Sequence, residues 1–141
     1  FFFFFKTEKM IRQDVLERIK KIPIVDTLGF EFIEMDNGIC EAVVKHQKKY
    51  DGIYESFHGG LLMTVADSIS AFALLTLAGA DAPITTTDMN IRFLAACRTD
   101  VRAVARVIKH GKTLAPVAVD MYDMNNKHVA VAQVNYIILN K

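Results

Sequence analysis

The 141-residue sequence has little cysteine, no tryptophan and almost no net charge. Its two cysteines, Cys40 and Cys97, are too few for a disulfide framework, and no CxxC or His-rich neighbourhood suggests a zinc site. The 17 basic residues nearly balance 16 acidic ones, so a net charge of +1 gives no basic field for nucleic acid or an anionic membrane. We therefore expect no metal and no nucleic-acid partner, and a cytoplasmic location where free thiols stay reduced.

Hydrophobic residues make up 52% of the chain and charged residues 23%, a balance typical of a globular fold and unlike that of disordered chains. The length suits one domain of ~100–200 residues and excludes a two-domain enzyme. We therefore predict a single domain over residues 6–141. The run Phe1–Phe5 lacks the basic segment and small-residue cleavage site of a secretory signal, so we interpret residues 1–5 as a tag or artefact.

The longest apolar stretch, Leu61–Ala80, is long enough to span a bilayer at about 1.5 Å per residue. It contains one carboxylate, Asp67, which would cost roughly 2.5–3.5 kcal/mol near the centre of a membrane helix. No aromatic belt or one-sided basic flank accompanies the stretch. We therefore predict no membrane span, and instead a long helix that is buried on most sides by the rest of the protein and its partners.

Around this helix the sequence predicts a short amphipathic helix and six strands. The lead-in helix covers Lys6–Lys20 and ends before Pro23. The strands are rich in Val, Ile and Thr and cover Leu28–Met35, Gly38–Val44, Pro83–Leu94, Val101–Lys109, Leu114–Tyr122 and Val129–Leu139. Asn37-Gly38 is a strong hairpin signal between the first two strands. Two strands, one helix and four strands exclude a βαβ alternation, so we predict an α+β fold with a mainly antiparallel sheet against the long helix.

Two features near the start of the long helix carry chemistry. Asp67 is the only ionisable residue between His58 and Asp81, which makes it a candidate functional group, or else a carboxylate satisfied by neighbouring hydroxyls. His58-Gly59-Gly60 stands where the helix begins. The unpaired N–H groups and partial positive charge of a helix N-terminus suit a carbonyl oxygen that gains negative charge during acyl transfer. The alternative is that the two glycines form only a flexible connection into the helix, which is as common.

Gly59 and Asp67 are eight residues apart, or ~12 Å along a helix axis, which is too far for both to touch one small reacting centre. If they act together, they must come from two chains whose helices lie side by side and antiparallel across a two-fold axis. A helix that is apolar all round also has a flank that one sheet leaves uncovered, which independently predicts self-association.

Three segments resemble the motifs of one known family: HGGLLMTVADSIS at residues 58–70, TTTDMNIRFLAACR at 85–98 and KHGKTL at 109–114. In this order they are similar to the hotdog-fold acyl-CoA thioesterases of the PaaI-like type, in the 4-hydroxybenzoyl-CoA thioesterase superfamily. The resemblance implies a long helix wrapped by an antiparallel sheet, and dimers that often pair into tetramers. It also implies hydrolysis of an acyl-CoA thioester to a free acid and CoA, with neither a metal nor a redox cofactor.

The resemblance implies roles for the residues that match these motifs. Asp67 matches the catalytic acid, which either activates water as a general base or attacks the thioester as a nucleophile. Gly59 matches the glycine whose N–H polarises the thioester carbonyl, and Thr86 falls where a hydroxyl orients the water beside the aspartate of the partner chain. The residues assigned to substrate and CoA binding are His58, Gly60, Asp88, Lys109, His110, Gly111, Lys112 and Thr113. The alternatives are that Thr86 is an ordinary strand residue and that residues 109–113 form an ordinary hairpin turn.

Two positions depart from the family pattern. Relatives commonly carry an Asn six residues before the motif histidine, where this chain has Gly52, and a Gly three residues before it, where this chain has Glu55. Losing one hydrogen-bond donor of this kind costs ~2.7–4 kcal/mol of transition-state stabilisation, so we expect slow activity unless Tyr50, Tyr54 or Ser56 substitutes. The missing donor leaves open a second function on the same fold, a non-catalytic acyl-CoA sensor.

Overall fold

The computed structural model describes residues 8–139, so Phe1–Phe5 lies outside the described residues and its interpretation as a tag or artefact stays a prediction. The helices and strands follow in the order α1 (Gln13–Ile19), α2 (Pro23–Leu28), β1 (Phe30–Asp36), β2 (Ile39–Val44), α3 (Gly59–Ala78), β3 (Ile84–Phe93), β4 (Val101–Val107), β5 (Leu114–Asp123) and β6 (His128–Ile138). A single 3-10 turn, Lys48–Tyr50, lies in the described loop between β2 and α3.

The strands form one antiparallel sheet in the order β1-β2-β4-β5-β6-β3. Helix α3 lies against one face of this sheet and contacts every strand, most extensively β4 and β2. A long helix wrapped by an antiparallel sheet is the hotdog fold, and it confirms the predicted α+β class and strand number. Strands β1 and β3 form the two edges, so one backbone edge of β3 has no strand partner within residues 8–139.

The β1–β2 hairpin turns at the predicted Asn-Gly pair. Asn37 and Gly38 have φ angles of 52° and 79°, the left-handed conformation that a tight two-residue turn of this kind requires. The Gly38 N–H donates to Thr76 Oγ1 at 2.8 Å. This hydrogen bond ties the hairpin to the last turn of α3 and helps to fix the helix against the sheet.

Helix α3 forms the centre of the core. Val65, Ile69 and Leu74 are fully buried, whereas Met63 is 37% exposed and Leu77 is 39% exposed. The helix is long and apolar enough to cross a membrane, but 56% of its apolar stretch is buried inside the fold, as expected for a helix that packs in a protein core. The exposed apolar residues mark the flank that the sheet of one chain leaves uncovered.

The N-terminal segment differs from the single helix predicted over Lys6–Lys20. Residues 10–12 are not helical and bond to β1: the Met35 N–H donates to Met10 O and the Arg12 N–H donates to Met35 O, both at 2.8 Å. A second helix, α2, begins at Pro23, which the prediction treated only as a stop signal. Proline fits the first turn of a helix because its missing N–H would have no helical acceptor there.

A β-bulge in β3 decides which way its polar residues face. Thr86 pairs with Tyr136 and Asp88 pairs with Asn135, so Thr87 is an extra residue between the two pairs. Tyr136 is buried and contacts α3, and its neighbour Asn135 therefore lies on the other face of the sheet. As a result Thr86 faces the helix and Asp88 faces away, although residues two apart in a regular strand share a face.

Candidate active site

Asp67 lies in the third turn of α3, where a helix and two strands converge on its carboxylate. Thr86 Oγ1 donates from β3 to Asp67 Oδ1 at 2.7 Å, and the Tyr136 hydroxyl donates from β6 to the same oxygen at 2.9 Å. The Tyr136 hydroxyl is also 2.5 Å from the main-chain O of Asp67. The structure thus brings Asp67 and Thr86 of one chain together, whereas the resemblance placed the threonine beside the aspartate of the partner chain.

Tyr136 is the residue at this site that sequence reasoning missed. It is 1% exposed, and burial, followed by the negative charge of Asp67, raises the pKa of Tyr136 well above the usual range for tyrosine. The phenol therefore stays protonated at neutral pH and remains a hydrogen-bond donor. Its signal in the sequence was weak, because a tyrosine within an apolar strand is commonly a core residue whose hydroxyl finds some local partner.

A groove of about 290 Å³ opens beside Asp67. Its walls are mostly apolar and come from α3, from β3 and from the start of α2, with lining residues that include Ile22, Ile24, Ala71, Phe72 and Ile84. Ile22 and Ile24, which lie beyond the predicted lead-in helix, therefore contribute to the surroundings of the carboxylate. Such a surface suits an apolar group held next to one polar centre.

The HGG motif forms the N-terminus of α3, as predicted. His58 caps the helix: its Nδ1 accepts a hydrogen bond from the Gly60 N–H at 2.9 Å, and its carbonyl accepts from the N–H groups of Leu61 and Leu62. Because Nδ1 accepts, it carries no proton, so a neutral His58 has its proton on Nε2. The Gly59 N–H has no acceptor within residues 8–139, which leaves it available to a ligand.

The two glycines of the motif meet different neighbours. A Cβ at Gly60 would lie 3.1 Å from the His58 ring, so the glycine allows the imidazole to fold back onto the helix N-terminus. A Cβ at Gly59 would lie 3.2 Å from the ring of Phe93, which is 52% exposed. The free N–H at this position combines with the partial positive charge of the helix N-terminus, an arrangement that can polarise a carbonyl oxygen.

The loop before the motif carries both departures from the family pattern. The Gly52 N–H donates to Ser56 O at 2.9 Å and closes a tight turn. Glu55 has a φ of 56°, the left-handed conformation that glycine adopts without strain. Residue 55 therefore has the backbone conformation that suits a glycine, the residue common at this position in relatives, although it is a glutamate in this chain.

The three candidate replacements for the missing donor lie in different places. Tyr50 lines a surface groove together with His58 and Gly60, and Ser56 lines another groove together with Gly59. Tyr54 is 75% exposed and lines neither of these grooves. Tyr50 and Ser56 are therefore the better candidates for a second donor near the helix N-terminus.

The predicted CoA turn joins β4 to β5. Its exposed residues are Lys109, His110, Lys112 and Thr113. The Gly111 N–H donates to Leu114 O at 3.1 Å, and a Cβ at Gly111 would lie 2.5 Å from that oxygen, so the turn requires glycine. Leu114 pairs with Ile137, one residue from the Tyr136–Thr86 pair, so the turn lies at the end of the sheet where Asp67 is held.

Asp88, predicted to bind substrate, is not brought to Asp67. Its Oδ1 accepts from Asn135 Nδ2 at 2.6 Å, and its Oδ2 accepts from Thr87 Oγ1 at 3.1 Å. The bulge at Thr87 turns this cluster to the sheet face opposite α3. Within one chain, Asp88 therefore contacts its neighbouring strand and not the surroundings of the carboxylate.

Gly59 and Asp67 both lie on α3, about 12 Å apart along its axis, and they open onto different grooves. The groove at Gly59 is lined by Phe57 and Phe93. One chain therefore does not bring the free N–H and the carboxylate to one reacting centre. Within residues 8–139 no group of three or more His, Cys, Asp or Glu side chains could hold a metal ion.

The fold and these residues define a class of protein: a hotdog domain with a carboxylate oriented by two hydroxyls, an apolar groove beside it, and a free N–H at a helix N-terminus. A family model described as "Thioesterase superfamily" matches residues 54–130, more than half of the chain. The chain belongs to this superfamily, which confirms the resemblance seen in its motifs.

Individual relatives agree with this membership. Acyl-coenzyme A thioesterase 13 of Homo sapiens is 40% identical over 86 residues, which cover 59% of this chain and 59% of that protein. The solved structure of the E. coli PaaI protein from the phenylacetic acid degradation operon has a TM-score of 0.82 at 20% identity, and covers 91% of this chain and 92% of its own. A hypothetical thioesterase protein with coenzyme A from Streptococcus pneumoniae TIGR4 has a TM-score of 0.78 at 20% identity, with 87% and 98% covered. At these identities the solved structures establish the fold alone.

Proposed function

We propose that this protein hydrolyses acyl-CoA thioesters to free carboxylic acids and CoA, at a site completed by a second copy of the chain. The observation that carries the proposal is the combination, on one helix of a thioesterase-superfamily fold, of a doubly hydrogen-bonded Asp67 and a free Gly59 N–H. The 40% identity to an acyl-coenzyme A thioesterase supports the substrate class.

In this reaction the Gly59 N–H donates to the thioester carbonyl oxygen, which gains negative charge as the tetrahedral intermediate forms. If Asp67 is a general base, it takes a proton from water while the water oxygen attacks the carbonyl carbon. The C–S bond then breaks, and the CoA thiolate leaves and receives the proton from Asp67. If Asp67 is a nucleophile, its carboxylate displaces CoA to form a mixed anhydride, which water hydrolyses to the free acid.

A second copy supplies what one chain lacks. In a homodimer with two antiparallel α3 helices, the Gly59 N–H of one protomer and the Asp67 carboxylate of the other can approach the same carbonyl. The unpaired edge of β3 and the half-exposed Phe93 and Leu94 at its end support this interface, because a free strand edge and exposed apolar side chains favour association. The family resemblance adds the proposal that such dimers pair into tetramers.

The remaining parts of the substrate have candidate contacts. We assign the exposed cations and backbone groups of the Lys109–Thr113 turn to the nucleotide part of CoA, and His58 and Gly60 to the region of the thioester. The relative with coenzyme A from S. pneumoniae shares the fold and supports this ligand class. The apolar groove at Asp67 suits the acyl group.

A cytoplasmic location is part of the same proposal. Both cysteines of the chain, Cys40 and Cys97, are free buried thiols, as expected of a protein that folds in a reducing compartment.

The test is hydrolysis of a panel of acyl-CoAs by the wild type and by Asp67→Ala. We expect kcat to fall by about 10²–10⁴-fold in the variant, because the group that activates water or attacks the carbonyl is lost. Asp120→Asn is the matched control, since Asp120 pairs with His128 away from α3 and its loss should leave the rate unchanged. An Asp67→Ala variant as active as the wild type would contradict the proposal.

The second candidate function is an acyl-CoA sensor, favoured by Gly52 in place of the usual donor. The same panel distinguishes the two functions when binding is measured beside turnover. A wild-type protein that binds acyl-CoA tightly without hydrolysing it is a sensor, and the thioesterase proposal then fails.

A further inference from the structure

Tyr136 lies outside residues 54–130, which match the family, yet it contacts Asp67 twice. Its hydroxyl is 2.5 Å from the main-chain O of Asp67 and 2.9 Å from Oδ1. A hydroxyl has one proton, so that proton is shared between two oxygens of the same residue in a three-centre hydrogen bond. This contact ties the side chain of Asp67 to its own main chain and thereby fixes the direction of the carboxylate.

The two carboxylate oxygens have different surroundings. Oδ1 accepts from both Tyr136 and Thr86, whereas no side chain or backbone group among residues 8–139 donates to Oδ2. An oxygen that already accepts two hydrogen bonds is a weaker base and nucleophile than one that accepts none. Oδ2 is therefore the oxygen available to a water molecule or to a carbonyl carbon.

We propose that Tyr136 is a positioning residue that, together with Thr86, holds Oδ1 of Asp67 and thereby presents Oδ2 to the reacting group. This inference rests on the proposed thioesterase function. Tyr136 does not itself touch the substrate in this account. Tyr136 is 1% exposed, and its hydroxyl lies between α3 and β6 in contact with the carboxylate that it orients.

The same geometry narrows the role of Thr86. The single proton of its hydroxyl is donated to Asp67, so toward a water molecule Thr86 can act only as an acceptor. A water that donates one proton to Thr86 Oγ1 has its other proton free for Oδ2. Thr86 and Oδ2 can thus orient one water between them, while Tyr136 keeps the carboxylate from rotating away.

The test compares Tyr136→Phe with the wild type and with Tyr122→Phe. The first variant removes the hydroxyl but keeps the buried ring, and the second removes a hydroxyl from β5 on the face where Arg102 stacks on the ring. We expect Tyr136→Phe to lower kcat by roughly 10- to 100-fold with little change in KM, the effect of one hydrogen bond to a charged group. Tyr122→Phe should keep the wild-type kcat.

A second readout does not depend on turnover. Asp67 and Tyr136 are the titratable residues that line this groove within the described chain, so the carboxyl ¹³C signal of Asp67 reports on their contact. Removing a donor changes the hydrogen bonding of the carboxyl group, so its ¹³C chemical shift at neutral pH should change in Tyr136→Phe and in Thr86→Val, but not in Tyr122→Phe. The Thr86→Val variant keeps the test decisive if Tyr136→Phe folds poorly, since Thr86 is an exposed donor to the same oxygen.

The two readouts separate the possible failures. A lower kcat together with a changed ¹³C chemical shift of the Asp67 carboxyl in Tyr136→Phe supports the positioning role. If the wild type does not hydrolyse acyl-CoA but the chemical shift still changes in Tyr136→Phe, the contact stands and only the proposed function is overturned. An unchanged chemical shift, or a changed chemical shift with the wild-type kcat, overturns the inference about Tyr136.

Discussion

Replacing Gly59 with proline removes the N–H that we assign to the thioester carbonyl while leaving the helix intact. Gly59 is the first residue of α3, the position where proline is favoured, and its N–H has no acceptor within residues 8–139. The preceding residue, His58, has φ −58° and ψ 129°, which is the backbone region that a residue before proline prefers. The Cβ of a residue at this position would lie nearest to Phe93, a half-exposed side chain that can move.

These observations set the expected magnitudes. Since no internal hydrogen bond is lost, we expect the free energy of unfolding of Gly59→Pro to stay within about 1 kcal/mol of the wild type, measured by urea unfolding. Loss of one donor to the developing oxyanion should lower kcat by about 10²–10³-fold, measured as CoA release. A stable Gly59→Pro protein with the wild-type kcat would refute the role of this N–H.

Mixing variants then tests whether the site is shared. Gly59→Pro protomers retain Asp67, and Asp67→Ala protomers retain Gly59, so a mixed dimer has one site with both groups and one with neither. Random pairing of equal amounts makes half of the dimers mixed, and the expected activity is about a quarter of the wild type. If verified mixed dimers are no more active than the parent variants, the Gly59 N–H and the Asp67 carboxylate of one site do not come from different chains.

Two further predictions concern stability and reactivity. Glu55→Gly should raise the free energy of unfolding by about 0.5–1 kcal/mol, measured by urea unfolding. The reason is that glycine relieves the strain of the left-handed backbone at φ 56°, and this gain outweighs the added freedom of the unfolded chain. A less stable variant would contradict the strain at this position. Burial raises the pKa of Cys40 and of Cys97. An alkylating reagent at pH 8 should therefore modify neither thiol in the folded protein and both thiols in denaturant. Labelling of the folded protein would contradict their burial.

Much of the fold was predictable because local patterns and the global architecture agree. The apolar stretch around Asp67 predicted the central helix, and the Asn37-Gly38 pair predicted the first hairpin, since each depends on residues close together in the chain. The N-terminal segment was predicted less well. Its residues 10–12 follow a helical pattern in the sequence but bond to Met35 on β1, a tertiary contact that periodicity does not record.

The candidate site was predictable only in part. Asp67 stood out because it is a lone carboxylate in an apolar stretch, and Gly59 stood out because it stands where a helix begins. Tyr136 gave no such signal, since it is 69 residues from Asp67 and lies in an ordinary strand pattern. The bulge at Thr87 was equally invisible, and it decides that Thr86 faces the carboxylate while Asp88 does not.

The sequence by itself determined the class of fold and the identity of the central acid. The reason is that the order of apolar, polar and turn residues largely decides which residues are buried and which backbone conformation each segment adopts. Only the tertiary structure decided which oxygen of that acid accepts two hydrogen bonds and which has no donor among residues 8–139. That choice depends on two hydroxyls from strands distant in sequence, whose approach is set by sheet register and by one inserted residue in β3.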